Sequence, residues 1–145
     1  MKLLHLDIEN HPGTAHIWSL WPDQVYLPQL RDPVGMFSFA AKWHNEKRVK
    51  FYSDFHDGHG TMIDAAYDLI NNADVVCHFN GTRFDMRHLR REFLLAGLDP
   101  HKPVREIDLH LVVKKKFHFM STKLRILGRR RRWRFCRGAL RPGKR

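Results

Sequence analysis

Apolar residues run almost without a break through KLLHLDI at residues 2–8, a density that suits a central strand buried on both faces. TAHIWSL, residues 14–20, follows an HPG turn and reads as a second strand. GMFSFAAKW and RVKFYSDF flank the polar HNEK, which predicts a third and a fourth strand joined as a hairpin around residues 44–47. Thr61 and Asp64 have capping-box spacing, with a carboxylate in the usual Glu/Gln place. Ile63, Ala66, Tyr67 and Ile70 then recur at helical period and predict a helix over 61–72.

DVVCHFNG is a β-branched strand over 75–79 that ends in the turn dipeptide Asn80-Gly81. Beyond it Met86, Leu89, Phe93 and Leu94 mark one face of a helix that stops at Gly97. VREIDLHLVVKKKF reads as one more strand running into a short helix. Strands first, then helix, strand, helix predict an α/β fold. It is a mixed sheet with helices packed on it, in which strand 75–79 lies parallel to strand 2–8.

At 145 residues the chain suits one domain with one core. Charge changes that picture at one end. Residues 1–127 carry 17 Lys and Arg against 15 Asp and Glu, whereas residues 128–145 carry 9 basic residues and no acid. The expected organisation is therefore a domain over 1–127 followed by a basic tail, which would attract a polyanion such as nucleic acid through counterion release or simply lie solvated. The two cysteines, Cys77 and Cys136, have no zinc-type spacing, and no apolar run is long enough to span a bilayer. These features point to the cytoplasm and away from a membrane.

The chemistry begins where the first strand ends. Asp7 and Glu9 are two apart in a strand and so project to the same side, where two carboxylates repel unless a cation sits between them. Oxygen ligands of this kind suit Mg²⁺ or Mn²⁺. Strand 75–79, if parallel, delivers the loop NGTRFD to the same edge, where ligands of α/β sheets collect, and Asp85 starts the next helix there. Taken singly, the DxE pair reads as a solvated turn and Asp85 as an ordinary helix-start residue. Together they predict a metal site.

LDIE and HFNGTRFD resemble the first and second motifs of the DnaQ-like (DEDD) 3′-to-5′ exonucleases of the RNase H-like superfamily. The segment FHFMSTKLRIL resembles the stretch ahead of that family's third motif. The resemblance covers about residues 1–127 and implies an RNase H-like mixed sheet flanked by helices, incomplete at the C-terminus. It implies removal of nucleotides from a 3′ end by two divalent ions, with Asp7 and Glu9 on one ion and Asp7 and Asp85 on the other; DNA is the first reading of the substrate and RNA the nearest variant, which no residue of the sequence separates. Asn80 would bond near the terminal nucleotide, and Phe84 would pack under the site. Asn10 and His11 stand where the family often has Thr and Gly, which places Asn10 beside the substrate, and Arg87 would add positive charge. The resemblance further implies single-stranded or 3′-end DNA as partner, a DNA polymerase as associate, and a replication or proofreading role in a bacterial or phage-infected cell.

The family pattern also calls for a fourth carboxylate on a late helix, preceded by Tyr or His. No Asp or Glu follows Asp108, and neither His110 nor His118 has an Asp at the required distance, so both read as structural. GRRRRWRFCRGALRPGKR has no apolar periodicity; it reads either as an out-of-frame stretch beginning after Leu127 or as an arginine-rich arm that docks on nucleic acid. Two other readings compete with the nuclease. One is a non-catalytic nucleic-acid-binding protein that uses the tail with Arg87, Arg90 and Arg91. The other is a histidine metal site at His56, Asp57 and His59, although the Gly and Asp of FHDGHG favour a loop.

Overall fold

The computed structural model of the chain describes residues 1–119 and 121–124; the basic tail at 128–145 lies outside the described residues. Strands β1 (Leu3–His11), β4 (Gly35–Trp43), β5 (Lys50–Ser53), β6 (Val75–His78) and β7 (Arg105–Asp108) form one sheet in the order β5-β4-β1-β6-β7. The short strands β2 (Thr14–Ala15) and β3 (Leu30–Asp32) pair separately. Helices α1 (Asp54–Asp57), α2 (His59–Asn71), α3 (Asp85–Leu95) and α4 (Leu109–Lys116) complete the described part. The sheet is mixed: β1 runs antiparallel to β4 and parallel to β6, and β6 runs parallel to β7. The carboxyl ends of β1, β6 and β7 therefore open on one edge.

β1 is central, but it is not buried on both faces. Leu4, Leu6 and Ile8 point into the core, where they join Phe39, Ala41 and Val76 beneath Met62, Ile63, Ala66, Leu69 and Ile70 of α2 and Met86, Leu89 and Phe93 of α3. The alternate residues His5, Asp7 and Glu9 lie on the other face, His5 half-buried and the two acids exposed. The adjacent Leu3 and Leu4 conceal this period of two when the sequence is read as a run.

Three further expectations are corrected. Strand 14–20 shrinks to Thr14–Ala15, because among the described residues it pairs with the three-residue β3 alone. Helix 61–72 starts two residues early, at His59 after Gly58 (φ 79°), so Thr61 and Asp64 are not its capping box. FHDGHG is not a loop. Ser53 accepts a bond from His56 N at 3.2 Å and caps α1, Asp57 Oδ2 accepts from Ser53 N at 2.9 Å, and His59 opens α2 and faces Glu92 at 3.4 Å.

The hairpin of β4 and β5, the parallel strand at 75–78 and the strand-to-helix run at 105–116 stand as expected. α3 stops through a Schellman arrangement: Gly97 adopts φ 72°, its N–H bonds Leu94 O at 3.1 Å, and Leu98 N bonds Phe93 O at 3.0 Å. Among the described residues no helix is long and apolar enough to cross a membrane.

Candidate active site

Asp7 and Glu9 share the open face of β1, opposite Ala40 and Ser38 of β4. Past Glu9 the register slips, because Asn10 pairs with Met36 and leaves Phe37 as an extra residue on β4. Such a bulge re-aims the strand end. It is held from behind by the buried Glu92 of α3, whose Oε1 accepts from Met36 N at 3.3 Å and from Arg91 Nη2 at 2.5 Å. The side-chain oxygen and nitrogen of Asn10 are shielded from solvent and meet no partner among the described residues. Buried amides are seldom left this way.

Asp85 enters from the neighbouring strand. It is the first residue of α3, is buried, and its Oδ1 accepts from the backbone N–H of Ile8 at 3.1 Å, beyond the last β1–β6 pair. That bond ties the helix start to β1 one residue from each of the two acids. Burial raises the Asp85 carboxyl from 3.8 to about 6; the Ile8 N–H opposes this rise and the charge of Asp7 adds to it. Asp7, though exposed on its face of the strand, is itself raised, first by the partial loss of water around its carboxyl and then by Glu9. Asp7 thus stands unfavourably beside both Glu9 and Asp85, an opposition that His78 offsets in part at Asp85 and that a cation would relieve.

Among the described residues no three His, Cys, Asp or Glu side chains close around a single point to form a cage. Asp7, Glu9 and Asp85 offer oxygen donors alone, the donor type of hard divalent cations. Mg²⁺ keeps several waters and takes one or two carboxylates together with substrate phosphate oxygens.

The loop 79–84 that leads to Asp85 is clamped by β7, a feature the sequence reading missed. Asp108 Oδ1 accepts from Asn80 N at 2.8 Å and His110 N at 3.0 Å, and its Oδ2 accepts from Thr82 N at 3.4 Å. Burial works to raise this carboxyl, but the N–H groups of Asn80 and His110, with His78 and Thr82, bring it below its ordinary value. Beneath the loop, Gly81 N–H donates to Nδ1 of the fully buried His78 at 3.1 Å, so that nitrogen carries no proton and Nε2–H faces Glu106 Oε2 at 3.3 Å. Glu106 also binds Arg90 at 2.7 Å. The one available signal was Asp108 directly ahead of LHLVV, the spacing of a helix N-cap.

The remaining expected residues fall at the same edge with less contact. Asn80 takes a left-handed φ of 67°, and its side chain makes no hydrogen bond among the described residues. Arg87 is exposed on the first turn of α3. Phe84 does not pack under the site: it is 41% exposed and lies edge-on to His88. Its place just before the helix start turns the ring outward. His110 bonds Thr122 at 3.0 Å and packs edge-on to Phe79. A hollow of about 600 Å³, lined in part by Lys2, Trp43, Tyr52 and Leu69, lies at the amino end of β1, away from these carboxylates.

A mixed five-stranded sheet with helices on its core face and acids at the carboxyl ends of adjacent parallel strands defines the RNase H-like class. The sequence matches the RNase_H_2 family of the RNase H superfamily over residues 27–134, most of the chain, and the protein belongs to that family. The matched stretch contains Asp85 and Asp108, while Asp7 and Glu9 precede it. The fold is similar to part of the family B DNA polymerase from the hyperthermophilic archaeon Pyrobaculum calidifontis, with a TM-score of 0.55 and 20% identity. The likeness covers 79% of this chain and 16% of the polymerase. A comparison with curated proteins finds no match.

Proposed function

We propose that the chain is a metal-dependent 3′-to-5′ exonuclease of the DnaQ-like DEDD group, acting at the 3′ end of DNA. The observation that carries this reading is the bond from Ile8 N–H to Asp85, which draws the second-motif acid to the strand that bears Asp7 and Glu9. Asp7 and Glu9 would hold one divalent ion, and Asp7 with Asp85 a second. When bound, such a pair activates a water and stabilises the oxygen that leaves.

The chain's own residues supply the frame. Ile8 and the β7 clamp fix the position of Asp85, and the Asn10 amide offers a donor and an acceptor at the strand end. Asn80 and Arg87 flank the path of the terminal nucleotide, and Arg87 would neutralise phosphate. A replication or proofreading setting beside a DNA polymerase is part of this proposal, supported by the likeness of fold to a stretch of one such enzyme.

The test is a 5′-labelled oligonucleotide incubated with the full chain in Mn²⁺. The expected result is a ladder shortened from the 3′ end, abolished by EDTA and by Asp7→Ala. The second reading, a nucleic-acid binder without hydrolysis, draws on the 9 basic residues after Leu127. In that case EDTA and Asp7→Ala leave binding intact, salt abolishes it, and no ladder forms.

A further inference from the structure

Glu92 is buried on α3 and takes no part in the proposed chemistry, yet it gathers groups from three elements. Its Oε1 accepts from Met36 N of β4 at 3.3 Å and from Arg91 Nη2 of its own helix, and its Oε2 faces His59 Nε2 of α2 at 3.4 Å. Burial works to raise this carboxyl, but Arg91, the Met36 N–H and His59 hold it below its ordinary value, so it stays ionised inside the fold. A buried charge is a costly way to satisfy one backbone donor. What sets Met36 apart is its place. The pairing of β4 with β5 ends at Ser38 and Ser53, so Met36 has no β5 residue opposite it, and it pairs with Asn10 just past the extra residue Phe37. The neighbouring pair is Glu9 with Ser38. The bond from Met36 to Glu92 therefore anchors the bulge next to the pair that carries Glu9.

We propose that Glu92 is a positioning residue for the carboxylate site: by holding Met36 it fixes the β4 bulge, and through the bulge the direction in which the end of β1 presents Glu9. The inference rests on the proposed metal site and adds a residue that never touches the ion. A bulge bends its strand and increases the local twist, so a β4 released at Met36 would turn Asn10 and Glu9 with it. Two properties of the acid are separable. Its volume packs α3 against β4 and α2, and its oxygen holds the N–H; only the second reaches the metal site.

The test is calorimetric titration of Mn²⁺ into the full chain at pH 7 with three variants, each shown by circular dichroism to be folded at the temperature of the titration. Glu92→Met keeps the volume and removes the acceptor. Arg91 and His59 both reach solvent, so neither is left as a buried lone charge, and an apolar residue of similar size is usually tolerated at such a site. This variant should bind Mn²⁺ roughly tenfold more weakly, the scale of loss when groups behind metal ligands are removed. Glu92→Gln keeps an oxygen for the Met36 N–H and should stay within about threefold of the parent. Leu69→Ala, in the core wall beside the hollow at the amino end of β1, lowers stability without touching the bulge and should bind like the parent. Equal affinity of the parent and Glu92→Met overturns the inference. So does an equal loss in Leu69→Ala, which would make the effect one of general stability, and so does a Glu92→Gln as weak as Glu92→Met, which would take the Met36 bond out of the cause. Failure of the metal reading is distinct, because the parent itself then takes up no Mn²⁺.

Discussion

Asp85 and Asp108 occupy equivalent places: each is a buried aspartate at the start of a helix, at the carboxyl end of adjacent parallel strands. Their environments push them in opposite directions. Asp108 is surrounded by the N–H groups of Asn80, Thr82 and His110 and is held below its ordinary value. Asp85 has the N–H of Ile8 but faces Asp7, and is raised to about 6. A carboxylate met by three backbone donors has its charge stabilised by the fold itself and serves the fold. One that is buried beside other acids costs stability and needs an outside reason to be there.

The largest effect that sharpens this contrast is on catalysis. Asp7→Ala should lower the rate of 3′-end shortening by more than about a hundredfold, beyond the loss seen when only an outer-shell partner of a metal is removed. A single-turnover cleavage assay checks this.

Asp108→Ala should cost about 3 kcal/mol in urea unfolding, because it removes a helix cap and leaves three backbone donors unsatisfied around a buried site. Asp85→Asn should act in the other direction in metal-free protein. Between pH 3.8 and about 6 the folded state holds a proton on Asp85 that the unfolded state has lost, so stability falls as pH rises through that window. Above it the ionised carboxylate is a standing cost, and Asp85→Asn should be more stable than the parent at pH 7 by on the order of 2 kcal/mol. The difference should vanish near pH 4, where a pH series of unfolding curves would show it. Asp108 has the opposite sign: its contribution is present above the ordinary carboxylate range and is lost as pH falls through its depressed value.

The smallest effect concerns the loop between the two acids. A Cβ at Gly81 would stand 2.4 Å from Cγ of the buried His78 ring, so Gly81→Ala must displace either the loop or the ring. It should cost about 1–2 kcal/mol, the usual scale of overpacking, and be read from the thermal midpoint.

One half of this contrast, the edge that carries Asp7, Glu9 and Asp85, is legible in the sequence. The acids of LDIE and the Asp after NGTRF were assigned to one edge because parallel pairing of two apolar strands leaves no other place for them. The β4–β5 hairpin announced itself through HNEK, and α3 through its apolar face and Gly97. Asp108 was less legible because its three partners are backbone N–H groups of a loop 26 to 28 residues away and of its own helix, and backbone donors have no side-chain signature. The bulge at Phe37 was hidden for the same reason, since alternation in GMFSFAAKW does not reveal an extra residue opposite Asn10. TAHIWSL has the composition of a strand, but strand propensity without a long partner yields two paired residues and an exposed tip.

Calorimetric titration of Mn²⁺ into the parent protein and Asp85→Asn at pH 6 tests the central claim most directly. The account predicts that the parent binds Mn²⁺ and releases protons on binding, since the raised Asp85 carboxyl must ionise, and that Asp85→Asn binds at least about tenfold more weakly with less proton release. Equal binding by the two proteins, or none by the parent, would contradict a metal site built on Asp7, Glu9 and Asp85.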